Sequence, residues 1–230
     1  ALLWGIHPLR VEAVAWASNR SYVLPGLFFA AALLMYLRAC DAGAHDRRWL
    51  RRFAGAVFLF ACSLLSKAIG LGFPFLLLLL DRYPLRRLGG GRGWWNERTR
   101  PVWMEKLPFL LLAIPFALIS LQAKARYGSL APMIHFGLSE RFAQASFATV
   151  FYPYKTLVPA RLSPFYLQRE RYSHDLEGVL LLGSAVAGLF LVAILARKRF
   201  PGLLAGWVGY LVLLGPVAGV ARYGNQIASD

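Results

Sequence analysis

Eight polar or charged residues in a largely apolar chain have side chains that could handle a phosphate-linked substrate. A histidine, a carboxylate and an arginine occur close together as His7, Glu12 and Arg20, between two apolar stretches. Charged side chains beside lipid are costly, so they usually anchor a helix at the membrane surface or belong to a working site. The remaining members of the set are Lys67, Arg141, Tyr166, Gln226 and Asp230.

The types of these side chains indicate phosphate binding more than covalent catalysis. Arginine makes two parallel hydrogen bonds to a phosphate, and lysine supplies a point charge. Arg20, Lys67 and Arg141 are therefore candidates for contacting the phosphate of such a substrate. Glu12 could orient His7 or assist in binding. The catalytic residue itself stays unknown from the sequence.

Each candidate also has a purely structural interpretation. His7 precedes Pro8 and could simply end a helix. Glu12 could pair with a neighbouring arginine as a clamp, and Lys67 could reach the membrane surface from a turn. Arg141 and Tyr166 could be loop anchors.

Several familiar catalytic signatures are missing from the sequence. There is no glycine-rich loop followed by Lys-Ser or Lys-Thr, no His-Glu-x-x-His and no nucleophile elbow. The two cysteines, Cys40 and Cys62, form neither a disulfide framework nor a metal-binding pattern. We therefore predict no metal site within the 230 residues.

Composition places the chain among polytopic membrane proteins. It is 58% hydrophobic and only 16% charged, whereas a soluble domain carries about 25% charged residues. The net charge of +15 would suggest nucleic acid in a soluble protein. Here the Lys and Arg residues cluster between apolar stretches, which favours membrane topology and anionic lipid instead of nucleic acid.

Apolar stretches predict an all-α bundle of six complete spans and one partial span. An apolar segment from 53 to 81 is too long for one crossing at about 1.5 Å per residue, so we predict a hairpin that turns near Lys67. Residues 124–177 are predicted to form an outer loop with an interfacial helix over 142–158. The predicted spans cover residues 1–6 (partial), 22–37, 53–66, 68–81, 107–123, 178–196 and 202–220.

Charge distribution predicts the orientation of these spans. The stretches 38–52, 82–106 and 197–199 hold more than half of the 26 Lys and Arg residues. The positive-inside rule places them on the cytoplasmic side, which puts all eight candidate residues on the outer side. The stretch Asp81 to Leu85 falls on the cytoplasmic side and is interpreted only as the end of a span.

In order along the chain, the motifs resemble a family of polytopic GT-C type glycosyltransferases that carry tetratricopeptide repeats after the membrane domain. Its eukaryotic members are protein O-mannosyltransferases. The resemblance departs from the family pattern at Arg10 and Tyr22. The motifs that carry it are His7-Pro8-x-x-x-Glu12-Ala13-Val14 with Arg20 and Leu24, Leu65-Ser66-Lys67 with Pro74, Leu80 to Leu85, Glu105-Lys106-Leu107-Pro108, Arg141, Val158 to Tyr166 and Gln226-x-x-x-Asp230.

The resemblance implies transfer of a sugar, mannose in the first instance, from a polyprenyl-phosphate carrier to a hydroxyl of a protein or glycan acceptor. It also implies an inner-membrane protein of a bacterium with the site on the periplasmic face. In the family, the catalytic carboxylate and the contacts to a divalent metal are expected in an outer loop upstream of residue 1, and the repeats downstream of residue 230. We therefore expect the chain to be an internal fragment.

Two other functions fit the same residues. A transporter or flippase of lipid-linked or anionic substrates could use the outer cations as a binding path. A scaffold whose repeats do the work is a third interpretation. Transfer of sugar to an acceptor would indicate the glycosyltransferase, whereas movement of the substrate without sugar transfer would indicate the transporter.

Overall fold

A computed structural model describes residues 20–42, 46–89, 93–126, 138–160 and 176–215. These residues form helices and short connections, with no β-strand among them. The all-α class predicted from the sequence is confirmed. The α-helices are α1 (Arg20–Asp41), α2 (Arg47–Ser66), α3 (Phe73–Arg82), α4 (Arg100–Met104), α5 (Leu107–Arg126), α6 (Leu138–Leu157), α7 (Leu176–Leu195) and α8 (Pro201–Leu214), with 3₁₀ helices at Ala68–Gly72 and Ala196–Lys198.

Three helical segments in the described part are long and apolar enough to cross a bilayer, namely Val23–Asp41, Arg47–Ser66 and Arg100–Ala123. Large apolar side chains on their outer faces stay exposed, including Leu27 and Leu111. Such exposure is expected where the solvent is lipid. The chain is therefore an integral membrane protein, while the count of six complete spans and their orientation remain predictions.

Helices α1 and α2 form an antiparallel hairpin. The Arg52 guanidinium donates a hydrogen bond of 2.6 Å to the Arg38 carbonyl near one end. The Ser63 hydroxyl donates to the Pro25 carbonyl at 2.9 Å near the other. The first bond satisfies a carbonyl in the last turn of α1, which has no partner within its own helix. Helix α2 begins six residues before the predicted span because its first two turns carry arginines, which are good helix formers.

Three aromatic rings, one each from α2, α3 and α5, pack together in the core. Phe60 of α2 stacks on Phe73 of α3 with ring centroids 4.8 Å apart, and Phe109 of α5 lies 5.4 Å from Phe73. All three are fully buried. In lipid, such close packing holds helices together because apolar burial alone offers no gain over lipid tails.

Helix α8 runs antiparallel to α3. Gly72, just before α3, faces Val212 near the end of α8, and Gly202 at its start faces Tyr83 just beyond α3. Between these points Gly209 lies against Leu79. The glycines let the two backbones approach closely, as small residues do between membrane helices.

We expect Gly72→Ala to loosen this contact. A Cβ at this position would lie 2.9 Å from the carbonyl oxygen of Val212, and a backbone atom cannot move aside cheaply. The expected loss in unfolding free energy is about 1–3 kcal/mol, measured by thermal unfolding of the detergent-solubilised protein. Gly206→Ala on α8 is the matched control, because a Cβ there would meet no atom within 4 Å. Equal melting temperatures for both variants would contradict the packing described.

Helices α6 and α7 pack on each other, and α6 also contacts α8. The Tyr210 hydroxyl of α8 donates to the Thr149 carbonyl of α6 at 3.1 Å. The predicted interfacial helix over 142–158 thus coincides with a described helix four residues longer at its start.

Candidate functional site

Lys67 lies at the turn between α2 and the first 3₁₀ helix. Its backbone is extended, with φ −165° and ψ 140°, and its amide donates to the Ser63 carbonyl. The chain changes direction here, because Phe73 of α3 returns to pack on Phe29 of α1 and on Phe60 of α2. The Lys67 side chain is half-buried.

Arg20 begins α1 at the same end of the hairpin. The Ser63–Pro25 hydrogen bond fixes which ends meet. Arg20 is five residues before Pro25, and Lys67 is four residues after Ser63, so both extend beyond this bond in the same direction. The structure therefore places the backbones of Arg20 and Lys67 at one end of the bundle; the side chain of Arg20 lies outside the described part.

Arg141 lies in the first turn of α6 and is half-buried. Helix α6 packs mainly on α7 in the described part of the chain, and the grouping of Arg141 with Lys67 stays a prediction. The other sequence candidates, His7, Glu12, Tyr166, Gln226 and Asp230, fall outside the described residues.

The opposite end of the bundle contains a buried charged cluster formed by Tyr36, Asp81, Arg87, Glu105 and Lys106. Asp81 is fully buried at the end of α3, and Lys106 is 1% exposed just before α5. The Lys106 ammonium lies 2.5 Å from Asp81 Oδ2. Burying two charges is costly unless they are paired and hydrogen-bonded, and here each has more than one partner.

Arg87 completes the charged cluster from the loop after α3. One of its guanidinium nitrogens donates to Asp81 Oδ1 at 3.1 Å, and the other donates to Glu105 Oε1 at 2.6 Å. Burial alone would lower the pKa of Arg87, but the hydrogen bond to Glu105 and the neighbouring negative charges outweigh it and raise that pKa. Arg87 is therefore held permanently charged, and the two acids balance the two bases.

Tyr36 of α1 lies at the centre of the cluster. Its hydroxyl donates to Asp81 Oδ2 at 3.0 Å and accepts hydrogen bonds from Arg87 and Lys106. The cluster thus joins α1, α3, the segment 83–89 and the start of α5. Since its donors and acceptors satisfy one another, its arrangement suits a structural lock better than proton transfer or substrate binding.

The sequence interpretation missed this charged cluster. It treated Asp81 as a span end, and it singled out Lys67 as the lysine among apolar residues, although the structure buries Lys106 far more deeply. The sequence does contain a signal for this cluster. Asp81 directly follows one apolar run, and Glu105-Lys106 directly precedes the next apolar run, which begins at Leu107. Cys40, which had no predicted role, accepts a 3.2 Å contact from Arg87.

No group of three or more His, Cys, Asp or Glu side chains that could hold a metal occurs in the described part of the chain. The charged cluster itself contains two carboxylates, and both are occupied by Arg87 and Lys106. The expectation that a divalent metal is bound by residues upstream of this chain stays a prediction.

Comparison with known proteins gives a partial match. The chain is 31% identical over 87 residues to the human protein O-mannosyl-transferase TMTC2, and equally to the mouse protein of that name. The aligned stretch covers 38% of this chain but only 10% of each relative. No family model matches the chain, and no solved structure matches it. The chain is thus similar, over part of its length, to a mammalian O-mannosyltransferase.

Proposed function

We propose that the chain belongs to a membrane glycosyltransferase that moves a sugar, mannose in the first instance, from a polyprenyl-phosphate carrier to a hydroxyl of a protein or glycan acceptor. The observation that carries this proposal is the partial identity to protein O-mannosyl-transferase TMTC2. The ordered motifs, from Leu65-Ser66-Lys67 to Glu105-Lys106-Leu107-Pro108, resemble the same family and are consistent with it.

The placement of Arg20 and Lys67 supports the proposal physically. A lipid phosphate is held at the membrane surface while its bond to the sugar breaks, so its ligands must lie at one end of the bundle. Both residues lie at that end, opposite the charged cluster. Lysine and arginine are the side chains that stabilise negative charge developing on a departing phosphate.

In the proposed reaction the bond between the anomeric carbon and the phosphate oxygen breaks, and a new bond forms to the acceptor oxygen. The acceptor's proton passes to a base, and the polyprenyl phosphate leaves with the electron pair. Lys67, with Arg20, would stabilise the leaving phosphate. Glu12 and His7 remain candidates for supporting the acceptor and its proton transfer, while Arg141, Tyr166, Gln226 and Asp230 remain proposed substrate contacts.

We infer the face of the membrane from charge. The arginine-rich start of α2 and the basic residues at 197–199 lie at the end of the bundle that holds the charged cluster. By the positive-inside rule this end is cytoplasmic, so the proposed site faces outward. The two relatives are mammalian, and they give no support to the predicted bacterial inner membrane.

The direct test is sugar transfer by the purified full-length protein in proteoliposomes. Polyprenyl-phosphate mannose labelled in the sugar is the donor, and a peptide rich in serine and threonine is the acceptor. We expect label on the peptide and release of polyprenyl phosphate in equal amounts. If the donor instead crosses the bilayer with no label on any acceptor, the protein is a flippase and the proposal fails.

A further inference from the structure

The end of the bundle that holds the charged cluster also has a cavity of about 590 Å³ between the end of α3 and the start of α8. Its rim carries three arginines, Arg82, Arg86 and Arg197, and its floor is apolar, with Leu79, Leu204 and Val208. A cavity with cations at the mouth and hydrocarbon below matches an amphiphile with an anionic head and an apolar tail.

The backbone around residues 81–87 sorts the charged side chains into two groups. Asp81 and Arg87 contact each other in the charged cluster, while their neighbours Arg82 and Arg86 line the cavity. Arg86 has φ of 52°, a left-handed conformation that non-glycine residues rarely adopt. Such backbone is retained where the surroundings over-determine it, often at binding sites.

Arg82 is held in place at the cavity rim. Its guanidinium lies 6.0 Å from the centre of the Trp94 ring. Its side chain crosses Gly89 so closely that a Cβ there would meet Arg82 Nε at 3.0 Å. Gly89 also has φ of 72°, so both its conformation and the space favour glycine.

No carboxylate among the described residues forms an ion pair with the three rim arginines, and the ion pairs seen between two described residues all lie in the charged cluster. All three are exposed. Helix α8 begins at Pro201 on the cavity wall, and a helix N-terminus adds partial positive charge. The rim is therefore a concentrated positive field with a fork geometry suited to phosphate oxygens.

We propose that this cavity binds one anionic phospholipid of the cytoplasmic leaflet, with the phosphate between Arg82, Arg86 and Arg197 and an acyl chain along Leu79, Leu204 and Val208. The apolar floor favours a lipid over free phosphate, since inorganic phosphate would leave it uncovered. This site lies at the opposite end of the bundle from the proposed sugar-transfer site and does not depend on it. Anionic lipids are enriched in that leaflet.

Native mass spectrometry of the full-length protein, titrated with phosphatidylglycerol or phosphatidylcholine in detergent, tests the proposal. We expect one phosphatidylglycerol to bind at least about tenfold more tightly than phosphatidylcholine, since both carry the phosphate but the choline cation of the second is repelled by the three arginines. The triple variant R82Q/R86Q/R197Q should lose this preference. The control R47Q/R48Q/R51Q removes three exposed arginines of α2 and should keep it.

Two further arms separate the sources of phosphate and guard against misfolding. Ala205→Phe fills the apolar floor without changing charge and should also abolish tight lipid binding. Glycerophosphoglycerol, which has the headgroup without acyl chains, should not compete at millimolar concentration. Equal binding of both lipids, equal loss in the α2 control, or full competition by the free headgroup would overturn the proposal.

Discussion

Replacing Asp81 with alanine is expected to destabilise the protein by about 3–5 kcal/mol, the usual cost of breaking a buried ion pair by removing one partner. Asp81 is fully buried, and Lys106 is 1% exposed. Without the Asp81 carboxylate, the Lys106 ammonium would keep the neutral Tyr36 hydroxyl, and the nearest remaining carboxylate in the charged cluster would be Glu105, with Oε2 at 3.6 Å. Thermal unfolding of the detergent-solubilised protein measures the loss.

Two controls separate charge from simple truncation. Asp46→Ala removes an exposed carboxylate that makes no side-chain cap bond at the start of α2, and it should leave the melting temperature almost unchanged. Asp81→Leu combined with Lys106→Met removes both charges and should recover most of the stability, because paired apolar replacement of a buried ion pair is often neutral. A double variant as unstable as Asp81→Ala would contradict this account.

The helical framework was largely predictable from the sequence. Apolar stretches bounded by arginine clusters are long-range features of composition, and the helices lie over those stretches. The face of α2 that packs inward could also have been found, since Ala56, Phe60 and Ser63 recur at helical spacing and are buried. The ends of the helices differ from the predicted span ends. In α2, for example, two arginine-containing turns precede the apolar run.

The charged cluster could not be predicted in the same way. Its members lie at positions 36, 81, 87, 105 and 106, and no local periodicity links Tyr36 to Asp81 or Lys106. These residues come together because α3 ends beside α1 and because the segment 83–89 brings Arg87 back to Asp81. In the sequence, each of these charged residues looks like the end of a span. The ion pairs that offset the cost of burying them form only in the tertiary structure.

Among the candidate site residues, the placement of Arg20 and Lys67 at one end of the bundle was predictable from the sequence. A hairpin of known helix lengths places Arg20 and Lys67 together once the pairing of α1 and α2 is known, and the Ser63–Pro25 bond fixes that pairing. Helix α6, which carries Arg141, packs on α7 and contacts α8 through the Tyr210 hydrogen bond. The sequence contains no signal that would fix that association.

Lys67→Ala should lower the rate of sugar transfer by about 100-fold or more, if the proposed function is correct. This is the usual effect of removing one group that stabilises developing negative charge in a site shielded from water. Lys67 is half-buried at a turn, so its charge would act in a medium less screening than water. Initial rates with labelled polyprenyl-phosphate mannose give the measurement.

A purely structural role for Lys67 would produce a different pattern. Lys67→Arg keeps the positive charge and should retain a measurable part of the rate, whereas Lys67→Ala should lose it at an unchanged melting temperature. Lys198→Ala, an exposed lysine at the other end of the bundle, should match the unmodified protein in both respects. If Lys67→Ala lowers stability and rate together, and Lys67→Arg does the same, the lysine holds the turn and another cation must meet the phosphate. In the proposed reaction the phosphate leaves with the electron pair. The loss of rate in Lys67→Ala should therefore be smaller with a donor whose leaving group is a weaker base. A loss of rate caused only by altered structure would be the same with both donors.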